Sequence, residues 1–231
     1  MPLTHDEIRD RWGRAANVGT PAVDGTGESW FGRTTVGHPA EPWPRWNGRP
    51  LRPVLQVRIA DLPAPVADLA DLAFIQLFAD FESDGTLGDS MRSGYPDLPA
   101  CWKVRTFTND DSLIDISPPN DLAPWAIPTY RIGWDAAIDA PCWEDAGVAS
   151  KDWPADDDGL NILAGIKVGG WPSLVQSEIF WAPLNQHPSS PRHVLQLTVD
   201  CGLMIGDCGT MFIGRGKRNH PEEWALEWQC Y

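Results

Sequence analysis

Alternation of apolar and polar residues dominates this chain. The segments VLQVRIA (54–60), CWKVRTF (101–107), TYRIGWDAAI (129–138) and HVLQLTVD (193–200) alternate, and LAFIQLFADF (72–81) and GTMFIG (209–214) are short apolar runs. In EWALEWQCY (223–231), Trp224, Leu226, Trp228 and Cys230 recur with a period of two. This is the period of a β-strand. Because 22 prolines and 21 glycines punctuate the chain, the pattern predicts a mainly β fold, a β-rich α+β fold joined by turns and loops.

The N-terminus shows the one clear helical signal. Thr4 and Glu7 have the spacing of a capping box, in which each side chain bonds the backbone N–H of the other residue. Ile8, Trp12 and Ala15–Ala16 follow at helical spacing, before Gly19. We expect a short N-terminal helix of about three turns.

One strand sequence occurs twice. RPVLQVRIA (Arg52–Ala60) matches RHVLQLTVD (Arg192–Asp200), VGHP (36–39) matches GGWP (169–172), and Phe74-Ile75 matches Phe212-Ile213. This order predicts internally duplicated strand-loop-strand halves, about 30–80 and 165–215, with an acidic insertion between them. We expect one sheet system or two packed sheets within a single domain of residues 1–231, related by an approximate two-fold axis. In each copy of the strand, we expect the odd-numbered face to be the more deeply buried.

Acidic residues are concentrated in the middle of the chain. Residues 61–158 contain 20 acidic and 5 basic residues, a net charge of −15, whereas the rest has 12 acidic and 13 basic residues, a net charge of +1. A net charge of −14 argues against binding nucleic acid. The negative middle segment fits either a basic protein partner or a solubilising role.

Motifs for chemistry are missing from the sequence. It has no GxSxG, P-loop, GxGxxG or HExxH motif, and its five cysteines form no CxxC pair. We therefore expect reduced thiols, no catalytic residues, no cofactor and no metal. No apolar run is long enough to span a membrane, and MPLTHDEIRD has charges where a signal peptide is apolar, so we expect a cytoplasmic protein.

The 13 tryptophans are the strongest compositional anomaly. Several lie beside prolines or glycines in loop-like segments, where an indole caps a core, anchors a protein interface or stacks on a sugar. The predicted partner-binding residues combine four of them with an acidic run: Trp43, Trp46, Trp153, Asp156, Asp157, Asp158 and Trp171.

The ordered segments RPVLQVRIADLP, LAFIQLFAD, CWKVRTF, VGGWPSLVQ, HVLQLTVDCGLMIGDCGTMFI and WQCY resemble the YwqG-like family of bacterial proteins. The resemblance implies an internally duplicated, mostly β fold with an N-terminal helix, and it brings no catalytic residues. It also implies an immunity or antitoxin-like role, because members tend to occur beside polymorphic toxin genes. Ile205 stands where many relatives have an aromatic residue.

Three functional hypotheses follow. The first is a cytoplasmic protein-binding module, an immunity or antitoxin protein that neutralises a toxin domain through an acidic, Trp-bearing surface. The alternatives are a carbohydrate- or small-molecule-binding domain, which requires a concave site lined by loop tryptophans and carboxylates, and a homodimeric protein. We expect a monomer or a weak homodimer.

Overall fold

The computed structural model describes residues 2–93, 101–155, 160, 163–176, 179, 189–217 and 223–231. The mainly β prediction is confirmed. The strands are β1 Arg14–Pro21, β2 Trp30–Phe31, β3 Val36–Gly37, β4 Arg45–Trp46, β5 Arg49–Pro50, β6 Arg52–Arg58, β7 Phe74–Ala79, β8 Trp102–Phe107, β9 Ile114–Asp115, β10 Tyr130–Asp139, β11 Ile166–Gly169, β12 Arg192–Thr198, β13 Thr210–Arg215 and β14 Trp224–Gln229. The α-helices are α1 His5–Trp12, α2 Asp89–Ser93 and α3 Trp143–Ala146. None of the helices in these described ranges has the length and apolarity of a membrane span.

Helix α1 begins with the predicted capping box but ends earlier than predicted. The Glu7 backbone N–H donates to Thr4 Oγ1 at 3.3 Å, and the Thr4 N–H donates to Glu7 Oε2 at 2.8 Å. The predicted continuation through Ala15 and Ala16 is wrong, because Arg14–Pro21 is strand β1. Strands β10 and β11 pair with β1 on its two sides and bond backbone groups that would otherwise be bonded within a helix.

Ten strands form one antiparallel sheet, in the order β14-β13-β12-β11-β1-β10-β2-β6-β7-β8. This order maps onto itself when β8 is matched with β14, β7 with β13, β6 with β12, β2 with β11 and β10 with β1. The same irregularity recurs in both halves, as a register shift between Pro53 and Leu55 in β6 and between His193 and Leu195 in β12. The predicted duplication therefore appears as an approximate two-fold relation between the halves of the sheet.

The strand registers correct two of the three matched sequence landmarks. Leu55 pairs with Leu77, and its counterpart Leu195 pairs with Ile213, so Ile213 corresponds to Leu77. The predicted match of Phe74-Ile75 with Phe212-Ile213 is thus wrong by two residues. Phe31 pairs with Leu55, and Val168 pairs with Leu195, so Phe31 and Val168 are equivalent in the two-fold relation. Gly32 is therefore the counterpart of Gly169. The match of VGHP (36–39) with GGWP (169–172) is therefore also wrong.

Both faces of the duplicated strand are buried, so the prediction of a deeper odd-numbered face is wrong. In β6, Val54 and Gln56 are 0% exposed and Leu55 and Val57 are 1% exposed. Leu55 and Val57 belong to the main apolar core, as does Val54 at the register irregularity, whereas Gln56 is covered by a loop. The Gln56 carboxamide oxygen accepts a hydrogen bond from Thr35 N at 3.0 Å. Loops therefore complete the burial on the side away from the core.

The same covering contact recurs in the second half. Gln196, the counterpart of Gln56, is 0% exposed, and its carboxamide oxygen accepts from Ser173 N at 2.9 Å. The loops after β2 and β11 are thus attached to the sheet in equivalent ways. The sheet is also strongly curved, because its end strands line one groove, with Trp102–Thr106 on one side and Trp224 on the other.

Candidate functional site

The four predicted partner-binding tryptophans in the described part of the chain lie in different environments. Trp153 is 5% exposed and packs in a core cluster with Trp12, at a ring-centroid distance of 6.4 Å. Trp46 is half-buried and donates from Nε1 to Ser90 Oγ at 2.7 Å. Trp43 and Trp171 are half-buried and line two separate pockets.

The other three predicted residues, Asp156, Asp157 and Asp158, lie outside the described residues.

The pocket at Trp171 combines an indole with charged side chains of both signs. We call it the Trp171 pocket and define it by Arg14, Asp68, Asp145, Trp171, Arg192 and His193; its volume is about 650 Å³. Neighbouring strands of the sheet supply part of it, because β1 begins at Arg14, β11 ends at Gly169 and β12 begins at Arg192. Asp145 comes from α3, and Asp68 comes from the segment between β6 and β7. Strand ends that meet at one edge of the sheet therefore bring together residues distant in sequence.

A buried ion pair supports one wall of this pocket. Lys167 Nζ lies 2.6 Å from Asp139 Oδ2, and both side chains are 0% exposed. Asp139 Oδ2 also accepts from Trp171 N at 2.8 Å, and Lys167 Nζ donates to Leu163 O at 2.8 Å and to Ser173 Oγ at 3.1 Å. Two charges removed from water require such partners, since desolvation costs several kcal/mol per ion. The pair thereby holds the loop that carries Trp171 against the sheet.

This loop approaches the ion pair too closely for a side chain at Gly170. Gly169 and Gly170 have φ values of 80° and 70°, which glycine adopts readily. A Cβ atom on Gly170 would lie 2.5 Å from Asp139 Oδ2. The Gly-Gly sequence is therefore a steric requirement for placing Trp171.

The indole of Trp171 is held in place by a hydrogen bond and a stacked cation. Its Nε1 donates to Trp12 O at 2.7 Å, and the Arg14 guanidinium carbon lies 3.2 Å from its ring centroid. Burial lowers the pKa of Arg14, and the nearby carboxylates of Asp145, Asp68 and Asp139 oppose that shift.

Arg192 forms an ion pair with Asp68 at the same pocket. The lining is thus close to neutral in sum and rich in both donors and acceptors.

His193 adds a neutral imidazole. Both ring nitrogens are shielded from solvent and have no hydrogen-bond partner among the described residues. Burial holds the pKa of His193 well below its ordinary value, and the positive charges of Lys167 and Arg14 add to the effect. A neutral imidazole offers one N–H donor and one nitrogen acceptor.

The two-fold relation places a second pocket at the corresponding position of the other half. We call it the Trp125 pocket and define it by Arg33, Thr34, Trp43, Arg52, Leu122 and Trp125; its volume is about 390 Å³. Arg52 is the counterpart of Arg192, and Gly32, which also lines the Trp125 pocket, is the counterpart of Gly169. Duplication has therefore produced two pockets with related frames and different linings.

Some of the acidic residues of the middle segment form ion pairs within the protein. Six ion pairs join its carboxylates to bases outside residues 61–158: Asp68–Arg192, Asp71–Arg215, Asp80–Arg49, Asp110–Arg58, Asp121–Arg45 and Asp139–Lys167. The uneven charge along the sequence is thus partly neutralised by folding. The described residues contain no group of three or more His, Cys, Asp or Glu side chains suited to a metal ion.

A known protein family matches most of this chain. The sequence profile of the family described as Domain of unknown function (DUF1963) matches residues 29–215. The chain belongs to this family. The DUF1963 match includes β2 to β13, and with them most residues of both pockets. No curated protein matches the chain significantly. The resemblance to the YwqG-like family stays a prediction.

Sequence reasoning missed most residues of the Trp171 pocket. The missed pocket residues are Arg14, Asp68, Asp145, Arg192 and His193. The supporting ion pair of Lys167 and Asp139 was not predicted either. One signal was available in this DUF1963 chain, since GIKVGGW places a lysine between two apolar residues and before two glycines. A charged residue in a short apolar strand needs a buried partner, but the sequence does not identify Asp139 as that partner.

Proposed function

We propose that this protein binds a small polar ligand of low net charge in the Trp171 pocket. The proposed ligand carries both hydrogen-bond donors and acceptors, as sugars and zwitterionic amino acids do. The observation that carries the proposal is the lining itself, in which Arg14, Arg192, Asp68, Asp145 and a neutral His193 surround one indole. The pocket volume of about 650 Å³ lies within the range of about 300–1,000 Å³ that is usual for small-ligand sites.

Matched charges in the lining favour such a ligand over a strongly charged one. Arg192 is already paired with Asp68, and the positive charge of Arg14 is partly compensated by nearby carboxylates. A ligand with a large net charge would face uncompensated repulsion from groups of its own sign. A dipolar or uncharged polar ligand satisfies donors and acceptors of both kinds, including the buried nitrogens of His193.

The rigid loop supports binding at this site. The Lys167–Asp139 pair and the Gly169-Gly170 sequence fix Trp171 before any ligand arrives. A preorganised wall reduces the entropy lost on binding. We propose binding without catalysis, because the described lining contains no serine or cysteine nucleophile beside a base.

Thermal stability tests the proposal. The probes are glucose, galactose, N-acetylglucosamine, glycine, serine and glutamine, each at about 10 mM, where a ligand with a millimolar Kd raises Tm measurably. We expect at least one of the two classes to raise Tm and to bind with a 1:1 stoichiometry by calorimetry.

Arg14→Gln should weaken that binding by about tenfold or more, as the loss of a charged hydrogen-bond donor does. Arg33→Gln is the matched control, because Arg33 also stacks on an indole, that of Trp30, but lies outside the Trp171 pocket. The proposal fails if no probe of either class binds, or if Arg14→Gln binds the hit as tightly as Arg33→Gln does.

A second candidate is the protein-binding, immunity-type function that the sequence suggested. Its support is a group of exposed carboxylates in the middle segment that form no ion pair with any described residue: Glu82, Asp111, Asp115 and Asp135. A basic toxin domain steered by these charges would associate more slowly at higher salt. The test compares the association rate of a purified partner with the unmodified protein and with a variant in which Asp156, Asp157 and Asp158 are replaced by lysine. If the association rate and its salt dependence are unchanged in the variant, that acidic run is excluded as the docking surface.

A further inference from the structure

The Trp125 pocket contains a buried cation that forms no direct ion pair with any described residue. The Arg52 side chain is 7% exposed; its Nε donates to Phe81 O at 2.9 Å and its NH1 to Ala123 O at 2.7 Å. No carboxylate among the described residues forms a direct ion pair with Arg52, whereas its two-fold counterpart Arg192 is paired with Asp68. Burial lowers the pKa of Arg52, and the nearby carboxylates of Glu82, Asp80 and Asp84 partly oppose that shift. Burying an unpaired guanidinium is costly. The charge of Arg52 is therefore compensated only from a distance, and a ligand in this pocket can pair with it directly.

Two further polar groups at this pocket lack partners. The indole Nε1 of Trp125 and the hydroxyl of Thr34 are both buried, and neither has a hydrogen-bond partner among the described residues. Thr34 is 1% exposed. An indole N–H can only donate, and a hydroxyl can donate as well as accept. The unsatisfied groups thus match a ligand that supplies acceptors.

The remaining described lining is mostly apolar and carries no acid. Most of the surface around the donors is formed by apolar residues: Pro53, Pro118, Leu122, Pro124 and Trp43. Arg33 adds a second cation at the rim. An acceptor that is also negatively charged satisfies Arg52, Arg33 and the unpartnered donors together. The apolar walls favour a ligand body that contributes buried area.

We infer that the Trp125 pocket binds the carboxylate of a small acid with an apolar body. This site and its ligand class are separate from the polar, charge-balanced site proposed at Trp171. A free acid and the C-terminus of a peptide with an apolar last residue both present this carboxylate.

The indole N–H signal of Trp125 reports binding directly. The protein is labelled with ¹⁵N-tryptophan, and the Trp125 signal is assigned from a Trp125→Phe variant. The probes are 3-phenylpropionate and the free-acid dipeptide acetyl-Gly-Phe, each compared with its own amide. An N–H without an acceptor gains one when a carboxylate binds, so we expect a large downfield shift of the Trp125 proton with the acids and not with the amides.

The two arms of the titration separate the sources. A shift with 3-phenylpropionate supports a free acid, and a shift with acetyl-Gly-Phe alone supports a peptide C-terminus. The inference is overturned if neither acid moves the Trp125 signal, or if the amides bind as tightly as the acids.

Thr34→Val separates a ligand-binding role from a structural one. Because the hydroxyl has no partner among the described residues, its removal should leave Tm unchanged or raise it. The same change should weaken acid binding severalfold, and Arg33→Gln should do so as well. Arg14→Gln, in the other pocket, is the control and should bind the acids normally. Equal affinity of Thr34→Val and the unmodified protein for the acids would contradict the inference.

Discussion

Replacing Lys167 by methionine tests the buried ion pair that supports the Trp171 pocket. Methionine has a similar length and no charge, so Asp139 would remain fully buried without its counter-ion at 2.6 Å. The carboxylate would keep its bonds from Trp171 N and Leu163 N. Removing one partner of a buried pair costs about 3–5 kcal/mol, because the remaining charge is not compensated. We expect the free energy of unfolding to fall by that amount.

The assay is urea unfolding followed by tryptophan fluorescence at pH 7. Lys151→Met is the matched control, because Lys151 is exposed; its effect should stay within about 0.5 kcal/mol. Lys167→Met combined with Asp139→Asn should be more stable than Lys167→Met alone, since no unpaired charge remains. A cost below about 1 kcal/mol for Lys167→Met would refute the reasoning, because it would mean that the charge of Asp139 is solvated.

Three further predictions concern the core, the covering loops and pH. Leu55 and Leu195 occupy equivalent core positions. Replacing either of them by alanine should lower the free energy of unfolding by about 2–5 kcal/mol, measured by urea titration. Gln56→Leu and Gln196→Leu each leave a loop N–H without its acceptor and should cost about 1–3 kcal/mol for each unsatisfied group, measured in the same way. His193 has a pKa below its unfolded value, so its contribution is complete above pH 6.5 and is lost as the pH falls, by up to about 1.4 kcal/mol per pH unit. His193→Gln should therefore flatten the fall in stability between pH 6.5 and 4.5, and an unchanged slope would contradict this.

Strand prediction succeeded where the sequence alternates and failed where pairing alone decides the structure. Strands β6, β8, β10 and β14 carry period-two patterns and were predicted. Strand β1, RAANVGTP, is rich in alanine and glycine, which disfavour strands. It forms because β10 and β11 flank it on both sides, which is a tertiary effect.

The duplication could be detected but not aligned from sequence alone. The arginine and the VLQ/VLQ core of β6 and β12 correspond as predicted, whereas the flanking landmarks were matched to the wrong residues. Loop lengths differ between the halves, so short motifs such as Gly-x-Pro align by chance. Only the hydrogen-bond register shows that Gly169 corresponds to Gly32.

The candidate site was predictable only in part. Trp171 was selected because it lies between glycine and proline, and it lines the pocket. Its charged neighbours Arg14 and Arg192 come from the ends of two strands, whereas Asp145 comes from α3 and Asp68 from the segment between β6 and β7. Asp139 and Lys167, which support the pocket, are 28 positions apart. The order of the strands in the sheet brings such residues together, and the sequence alone does not reveal that order.

Tryptophan indole signals give the most direct test of the proposed ligand site. A ¹⁵N-tryptophan sample reports all 13 indoles while a sugar or amino acid that raises Tm is added. Ligand binding in the Trp171 pocket should shift the Trp171 signal, whose N–H donates to Trp12 O, and leave that of Trp46, which donates to Ser90, unchanged. A ligand that binds without moving the Trp171 signal, or that moves the Trp46 signal instead, would contradict the proposed site.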